Sequence, residues 1–193
     1  MFTARQKEII DASINLIARG GIQEVTMKNL SCEVGISEPA LYRHFKSKHA
    51  IMAGVIESFK YHNKMVPEAV QDLGVDAIEK LKMAVITILR KFSDHPEISG
   101  VFFSEEIFHN DAQLTAQMNE LLDEYRGFFL GLIDSGIRDG SFRNDINKED
   151  ISLIIIGVVR LLVVRWRLSG YSFNIVESGD KIFDRTIKVI FQK

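Results

Sequence analysis

Residues Thr26 to Lys48 read TMKNLSCEVGISEPALYRHFKSK, and the reading of this stretch decides the fold. It predicts a short helix, a tight turn, a second short helix and the start of a third. Thr26 is placed to cap a helix over Met27–Val34. Gly35 supplies a residue that tolerates positive φ, which a tight turn between helices needs. Ser37 can cap the next helix, and Pro39 falls in its first turn, where a missing N–H does no harm. That helix runs to about Phe45 and is too short to stand without neighbours. Glu38, Tyr42, Arg43 and His44 face outward, while Leu41 and Phe45 face inward. A short helix with apolar residues behind and polar or aromatic donors in front suits the major groove of DNA.

Within this stretch, the run V-G-I-S-E-P-A-L-Y-R-H-F-K-S-K resembles the signature of the TetR (tetracycline-repressor-like) family of bacterial transcription regulators. The turn, the L-Y-x-H-F core and the following S-K occur in register. The motif-level match spans roughly Ile10 to Met52; beyond it the resemblance is one of helical layout and length. It implies an all-α chain in two parts. Residues 1–50 would form a three-helix helix-turn-helix DNA-binding domain, its motif at about 26–45. Residues 51–193 would form a helical effector-binding and dimerisation domain.

Family roles carry over residue by residue. Ser37, Tyr42, His44 and Lys48 match positions that often touch the phosphate backbone, and Thr26 matches another; such contacts set register without reading sequence. Glu38, Pro39 and Arg43 match exposed recognition-helix positions that vary between members. Arg43 is the best candidate for bidentate contact with guanine. Glu38 departs from the small or basic residue common there: it either accepts from a cytosine amine or helps cap its helix. Tyr42 could also be plain surface packing.

Net charge is −2, which looks wrong for a DNA binder until it is divided along the chain. Residues 1–50 carry seven Lys or Arg against five Asp or Glu, a net of +2, and the remainder carries −4. Arg43, Lys46 and Lys48 cluster near the motif with His44 and His49. A local positive patch on an acidic protein fits specific, salt-sensitive binding rather than general polyanion affinity. The single cysteine, Cys32, excludes an internal disulfide and fits a reducing cytoplasm. It reads as a small, partly buried core residue rather than a redox group. The N-terminus MFTARQKEII shows no signal peptide. The most apolar run, Ile151–Val164, is interrupted by Arg160 and too short to span a membrane.

From the N-terminus, Thr3 and Gln6 have the spacing of a capping box. Ile9, Ile10, Ala12, Leu16 and Ile17 make one buried stripe. Gly20 and Gly21 end that helix, one of them as a left-handed residue. Ser47 can cap a helix from Lys48 to about Lys64, which reads as the connector to the rest of the chain. Its N-terminus favours an anion and so abuts a phosphate. Pro67 to Val75 reads as a boundary, with Pro67 and Gly74 as breakers. Asp76 caps a helix over Ala77–Phe92, and His95-Pro96 breaks it. A short aromatic helix to about Phe108 follows, then one capped by Asp111 that ends near Ile137. A helix from about Lys148 to Leu168 and a last one from about Glu177 to Phe191 complete the chain.

The run LIIIGVVRLLVV is apolar around more than one face and must be covered on most sides. With the last helix it would pack against a second copy, as in the family, through Ile154, Gly157, Val158, Leu161, Leu162, Ile182, Phe183 and Ile187; a wholly intramolecular core is the alternative. Two heads related by a two-fold would read an inverted-repeat operator. The helices between Ala77 and Ile137, with Trp166, could enclose an apolar effector. Lining candidates are Ile86, Leu89, Phe92, Phe102, Phe103, Phe108, Tyr125, Phe129 and Trp166, an aromatic set that could equally be plain core. Arg160 or Arg165 could meet an acidic group on the effector or pair with carboxylates at the interface.

Enzyme readings fare poorly. His62, His95 and His109 are far apart, no Cys/His cluster or H-E-x-x-H occurs, and Glu105-Glu106 reads as a solvated face. No metal and no cofactor is expected. The sequence therefore predicts a cytoplasmic, homodimeric, ligand-responsive repressor whose partners are double-stranded operator DNA and a small effector, with no membrane. The rivals are an activator or effector-independent DNA-binding protein, and a helical carrier or enzyme.

Overall fold

A computed structural model describes residues 2–63, 65–71, 73–103, 108 and 111–187, with the side chains of 62, 63, 65, 71, 186 and 187 outside that description. Every regular element among the described residues is helical. In order they are α1 (Ala4–Gly20), a 3-10 turn (Ile22–Glu24), α2 (Met27–Val34), α3 (Glu38–His44), α4 (Lys48–Asn63), α5 (Met65–Gln71), α6 (Ala77–Asp94), α7 (Pro96–Phe102), α8 (Ala112–Asp139), α9 (Lys148–Leu168), α10 (Ile175–Ile182) and a π-helical turn (Phe183–Ile187). The chain divides into two compact units, Met1–His62 with Glu97–Leu121, and Asn63–Pro96 with Leu122–Lys193. Compactness groups α4, α7 from Glu97 on and the start of α8 with the first three helices.

The first unit is set by caps and one apolar stripe per helix. Thr3 Oγ1 accepts from Gln6 N, and Gln6 Oε1 accepts from Thr3 N, which completes the capping box. Ile9, Ile10, Ile14 and Ile17 of α1 are buried with Leu30 of α2, Leu41 of α3 and Phe45. Each such side chain contributes about 1.5–3 kcal/mol by leaving water, which is what a seven-residue α3 lacks on its own. Ile51, Met52, Val55, Ile56 and Phe59 give α4 its buried face. Gly54 lets α4 come close: a Cβ there would stand 3.2 Å from Phe45 Cε1 and 3.3 Å from Ile10 Cδ1.

Three local expectations change. Pro67 does not break the chain but sits in the first turn of α5, where its absent N–H had no partner to lose. Gly21 ends α1 at a positive φ of 87°, a conformation that favours glycine, but its ψ of 177° lies outside the left-handed helical well. Cys32 is exposed on α2, because Leu30 and Ser31 are the residues that this short helix buries.

In the second unit, α6 buries Ile78, Leu81, Val85, Ile88, Leu89 and Phe92, and Asp76 Oδ1 caps it by accepting from Glu79 N at 2.8 Å. Lys82 reaches Asp180 of α10 at 3.0 Å and Asp184 just beyond it at 2.8 Å. Gly179 of α10 passes so close to α6 that a Cβ would stand 2.1 Å from Leu89 Cδ1. The last helix begins at Ile175, capped by Asn174, and loosens at Phe183 into the π-helical turn. Residues 188–193, including Ile190 and Phe191, lie outside the described residues.

Candidate nucleic-acid interface

The turn between α2 and α3 is fixed by backbone geometry. Gly35 lies in the left-handed region at φ 69° and ψ 36°. Its N–H donates to Cys32 O at 3.3 Å, and Ile36 N donates to Ser31 O at 2.9 Å. These two bonds form the Schellman arrangement, which absorbs carbonyls that the end of α2 leaves over. Ser37 Oγ then accepts from Ala40 N at 3.3 Å and starts α3. At the far end, Gln6 Nε2 donates to His44 O at 3.4 Å, so α1 holds the C-terminus of α3. Leu41 is fully buried behind, and Phe45 nearly so. The axis of α3 is thereby fixed at both ends and along its back.

What α3 presents outward is Glu38, Pro39, Tyr42 and Arg43, all exposed, with Tyr42 at 44%. His44 is half-buried. Thr26 Oγ1 accepts from Asn29 N at 3.0 Å while the residue stays exposed. Thr26 and Ser37 each use the hydroxyl oxygen as cap acceptor, which leaves the O–H proton able to donate outward to a phosphate oxygen. Ser37 supplies the cap of α3, so Glu38 acts on that helix through its charge in the first turn. Lys48 Nζ donates to Ile22 O at 2.9 Å, and burial pushes its ammonium down from the ordinary lysine value. Two donors of that ammonium remain for other acceptors. Ser47 Oγ caps α4 by accepting from Ala50 N at 3.1 Å. His49, counted with the basic cluster, faces Asp111 at 3.3 Å.

Leu89, Phe92, Phe129 and Trp166 are buried in the second unit, where Ile86 and Tyr125 are half-buried, and burial pushes the Tyr125 hydroxyl up. Phe102, Phe103 and Phe108 belong to the first unit. There Phe102 meets Phe59 edge-on at 5.7 Å and Phe103 at 5.1 Å. A cavity of about 450 Å³ does open in the second unit, lined by Pro67, Val70, Val75, Ala77, Lys80, Phe128, Leu132, Ser135 and Asp139. None of the nine expected lining residues is among these.

On α9 the apolar residues divide into two faces. Ile151, Ile155, Leu162, Val163 and Trp166 are buried within the chain. Leu153 (70%), Ile154 (39%), Leu161 (62%) and Leu168 (83%) are exposed, and Gly157 among them has open space where a Cβ would point. Ile154, Gly157 and Leu161 thus lie on an outward face, and Val158 and Ile182 are half-buried. Leu162, 8% exposed, and Phe183, 1% exposed, are buried within the chain. An all-round apolar helix does not tell by sequence which stripe its own chain covers. The side chain of Ile187 lies outside the described residues. Leu153 and Leu168, missed from sequence, extend the outward stripe; their four- and seven-residue spacing from Gly157 and Leu161 was the available signal. Arg160 and Arg165 are exposed on the same helix. Among the described residues no three His, Cys, Asp or Glu stand close enough to hold a metal, and no helix is long and apolar enough to cross a membrane.

A family model described as bacterial regulatory proteins, tetR family, matches residues 9–55, and one described as the YsiA-like protein, C-terminal region, matches residues 59–189. The HTH-type transcriptional repressor KstR2 of Rhodococcus jostii (strain RHA1) is 26% identical over 180 residues, covering 90% of this chain and 84% of its own length. The nucleoid occlusion factor SlmA of Photobacterium profundum is 28% identical over 180 residues, covering 92% and 91%. Among solved structures, the transcriptional regulator FadR from Bacillus subtilis in complex with stearoyl-CoA matches with a TM-score of 0.81 over 92% of this chain and 95% of that one. At 18% identity that likeness speaks for the fold alone. These relatives are named as a repressor, a nucleoid occlusion factor and a transcriptional regulator, not as enzymes.

Proposed function

The chain belongs to the tetR family of bacterial regulatory proteins and is a DNA-binding transcriptional regulator; from that premise we propose that it is a homodimeric repressor, released from an inverted-repeat operator by a small apolar effector. The observation that carries this reading is α3 itself. A seven-residue helix is held at both ends, by Gln6 on His44 O and by Ser37 on Ala40 N, with Tyr42 and Arg43 left exposed. Arg43 reads a guanine edge, assisted by Glu38 and Pro39. Thr26, Ser37, Tyr42, His44 and Lys48 hold phosphates. Residues 1–50 act as the reading head, and 51–193 bind effector and second copy.

The dimer forms through the outward stripe of α9, where Ile154, Gly157 and Leu161 meet their counterparts across a two-fold. The apolar part of the effector is what the second unit takes up, so a long-chain acyl group, offered as its CoA thioester, is the first to test. The apolar make-up of the second unit supports an apolar ligand; FadR, alike in fold, only supplies stearoyl-CoA as the compound to try first. Such a ligand releases DNA only by the difference in its affinity for the two head spacings. The protein works in the cytoplasm and performs no chemistry.

Selection of bound duplexes from a random pool, at two salt concentrations, tests the reading. An enriched inverted repeat, lost in Arg43→Ala and released by stearoyl-CoA, is the expected result; binding at low salt with no enriched sequence would overturn it. A relative named as a nucleoid occlusion factor keeps a second reading in view, in which this chain is an effector-independent DNA-binding factor. That reading predicts an enriched site whose occupancy does not respond to acyl-CoA of any chain length.

A further inference from the structure

The side-chain amide of Gln6 makes two hydrogen bonds, and they serve different helices. Its Oε1 accepts from Thr3 N at 3.0 Å, which is half of the capping box that starts α1. Its Nε2 donates to His44 O at 3.4 Å, at the far end of α3. A capping box needs only an acceptor at this position, and a glutamate serves as well as a glutamine. A glutamate would also meet the positive end of the helix dipole, and the first turn of α1 holds no acidic residue. The cap alone therefore does not call for an amide. What the amide adds over a carboxylate is its N–H, and that N–H goes to α3.

His44 O is the last carbonyl of α3, and the last four carbonyls of a helix have no partner within it. Phe45 N takes that of Leu41 at 3.0 Å, and Gln6 takes that of His44. Gln6 and His44 are both half-buried. Leu41 and Phe45 press α3 onto the core, but apolar contact has no direction and resists turning of a short helix only weakly. A hydrogen bond has a preferred line, so the one from Gln6 fixes how α3 is turned about its own axis. Arg43 directly precedes His44 and is exposed. A bidentate contact with a base edge depends on that turn more than a phosphate contact does.

We propose that Gln6 is a positioning residue for base reading: its N–H on His44 O sets the turn of α3 and with it the aim of Arg43, a task separable from its part in the capping box. This rests on the assignment of Arg43 to a guanine edge. Two full-length variants separate the tasks. Gln6→Glu keeps the cap acceptor, loses the donor and sets a carboxylate against the carbonyl. Gln6→Lys loses the cap acceptor and keeps a donor on a stem long enough to reach His44 O.

Amide exchange over residues 38–45, measured by mass spectrometry with no DNA present, should be about three- to tenfold faster in Gln6→Glu and near parental in Gln6→Lys. Urea midpoints should run the other way, parental or higher in Gln6→Glu and lower in Gln6→Lys. The third readout is affinity for the duplex that the parent enriches from a random pool, divided by affinity for a scrambled duplex of the same length. The added charge of either variant acts on both duplexes alike and cancels in this ratio. The ratio should fall about fivefold in Gln6→Glu and be kept in Gln6→Lys. A parental ratio or parental exchange in Gln6→Glu would overturn the proposal. So would exchange and ratio that follow the urea midpoints in both variants, since Gln6 would then be a capping residue only. If the parent enriches no sequence, the regulator reading fails by itself, and the exchange comparison still decides whether Gln6 holds α3.

Discussion

Lys48 Nζ donates to the carbonyl oxygen of Ile22 at 2.9 Å, which ties the first residue of α4 to the turn between α1 and α2. The lysine expected to grip phosphate is thus also a strut of the head. An ammonium has three donors, so the two tasks are compatible. Lys48→Met keeps the stem and removes both. Operator affinity should fall several-fold alike for good and poor sites, and the slope of log affinity against log salt should lessen by about 0.9, one phosphate's share. Fluorescence anisotropy titrations over a range of salt measure it. Arg43→Ala should instead flatten the difference between sites; an unchanged ratio of specific to non-specific affinity would remove Arg43 from base reading.

Gly35 and Gly136 are both needed, for opposite reasons. At Gly35 nothing stands within 4 Å of a built Cβ, but φ is 69°. Gly35→Ala should therefore cost about 1–2 kcal/mol through backbone conformation alone. Gly136 carries no positive φ, yet a Cβ there would lie 1.9 Å from Phe142 Cδ2, on a ring that is 1% exposed. Gly136→Ala should cost about 1–3 kcal/mol by overpacking, and Gly136→Ala with Phe142→Leu should recover part of it. Urea unfolding of four variants, Gly35→Ala and Gly136→Ala each with and without Phe142→Leu, separates the cases: rescue at Gly136 and none at Gly35.

Features fixed within four residues were legible in the sequence. The caps Thr3, Thr26, Ser37, Ser47, Asp76 and Asp111 all accept from the backbone N–H two or three positions on. The left-handed Gly35 was legible for the same reason, as was the burial of Leu41 and Phe45 behind α3. Features that depend on a distant partner were not. Gly54, Gly136 and Gly179 look like weak points in their helices until Phe45, Phe142 and Leu89 are laid over them. Leu161 and Leu162 are adjacent and chemically identical, yet one is exposed and the other buried.

Lys91, near the end of α6, is half-buried, and burial pushes its ammonium down to about 8 from 10.5. Below pH 8 the group is charged in both folded and unfolded chains, and the folded state bears the desolvation cost. Between about pH 8 and 10.5 the folded chain releases the proton first, so unfolding takes up a proton and stability rises with pH. The rise is about 3 kcal/mol at most. Lys91→Met should be more stable than the parent at pH 7 and should lose the rise. Lys82 shifts the other way: the Asp184 side chain, then Asp180, raises it, so its contribution is present at neutral pH and lost only above the ordinary lysine value. Urea midpoints from pH 7 to 10 decide; a parallel pH course in Lys91→Met and parent would refute the assignment.

Leu161 and Leu162 offer the sharpest test of the dimer. Leu161 is 62% exposed on the outward stripe with Leu153, Gly157 and Leu168, whereas Leu162 is 8% exposed beside Gly179. A glutamate at 161 leaves the single chain's packing alone but brings like charges together wherever two copies of the stripe meet across a two-fold. A glutamate at 162 buries a charge in the core of one chain, which costs several kcal/mol. Leu161→Glu should therefore keep helicity and a cooperative melt while sedimenting as a monomer, and its loss of operator affinity should exceed that of any single phosphate contact, because one head then binds without the other. Leu162→Glu should unfold outright. If Leu161→Glu still sediments as a dimer, the two copies meet somewhere other than this face of α9, and the two-fold that spaces the heads must be sought elsewhere.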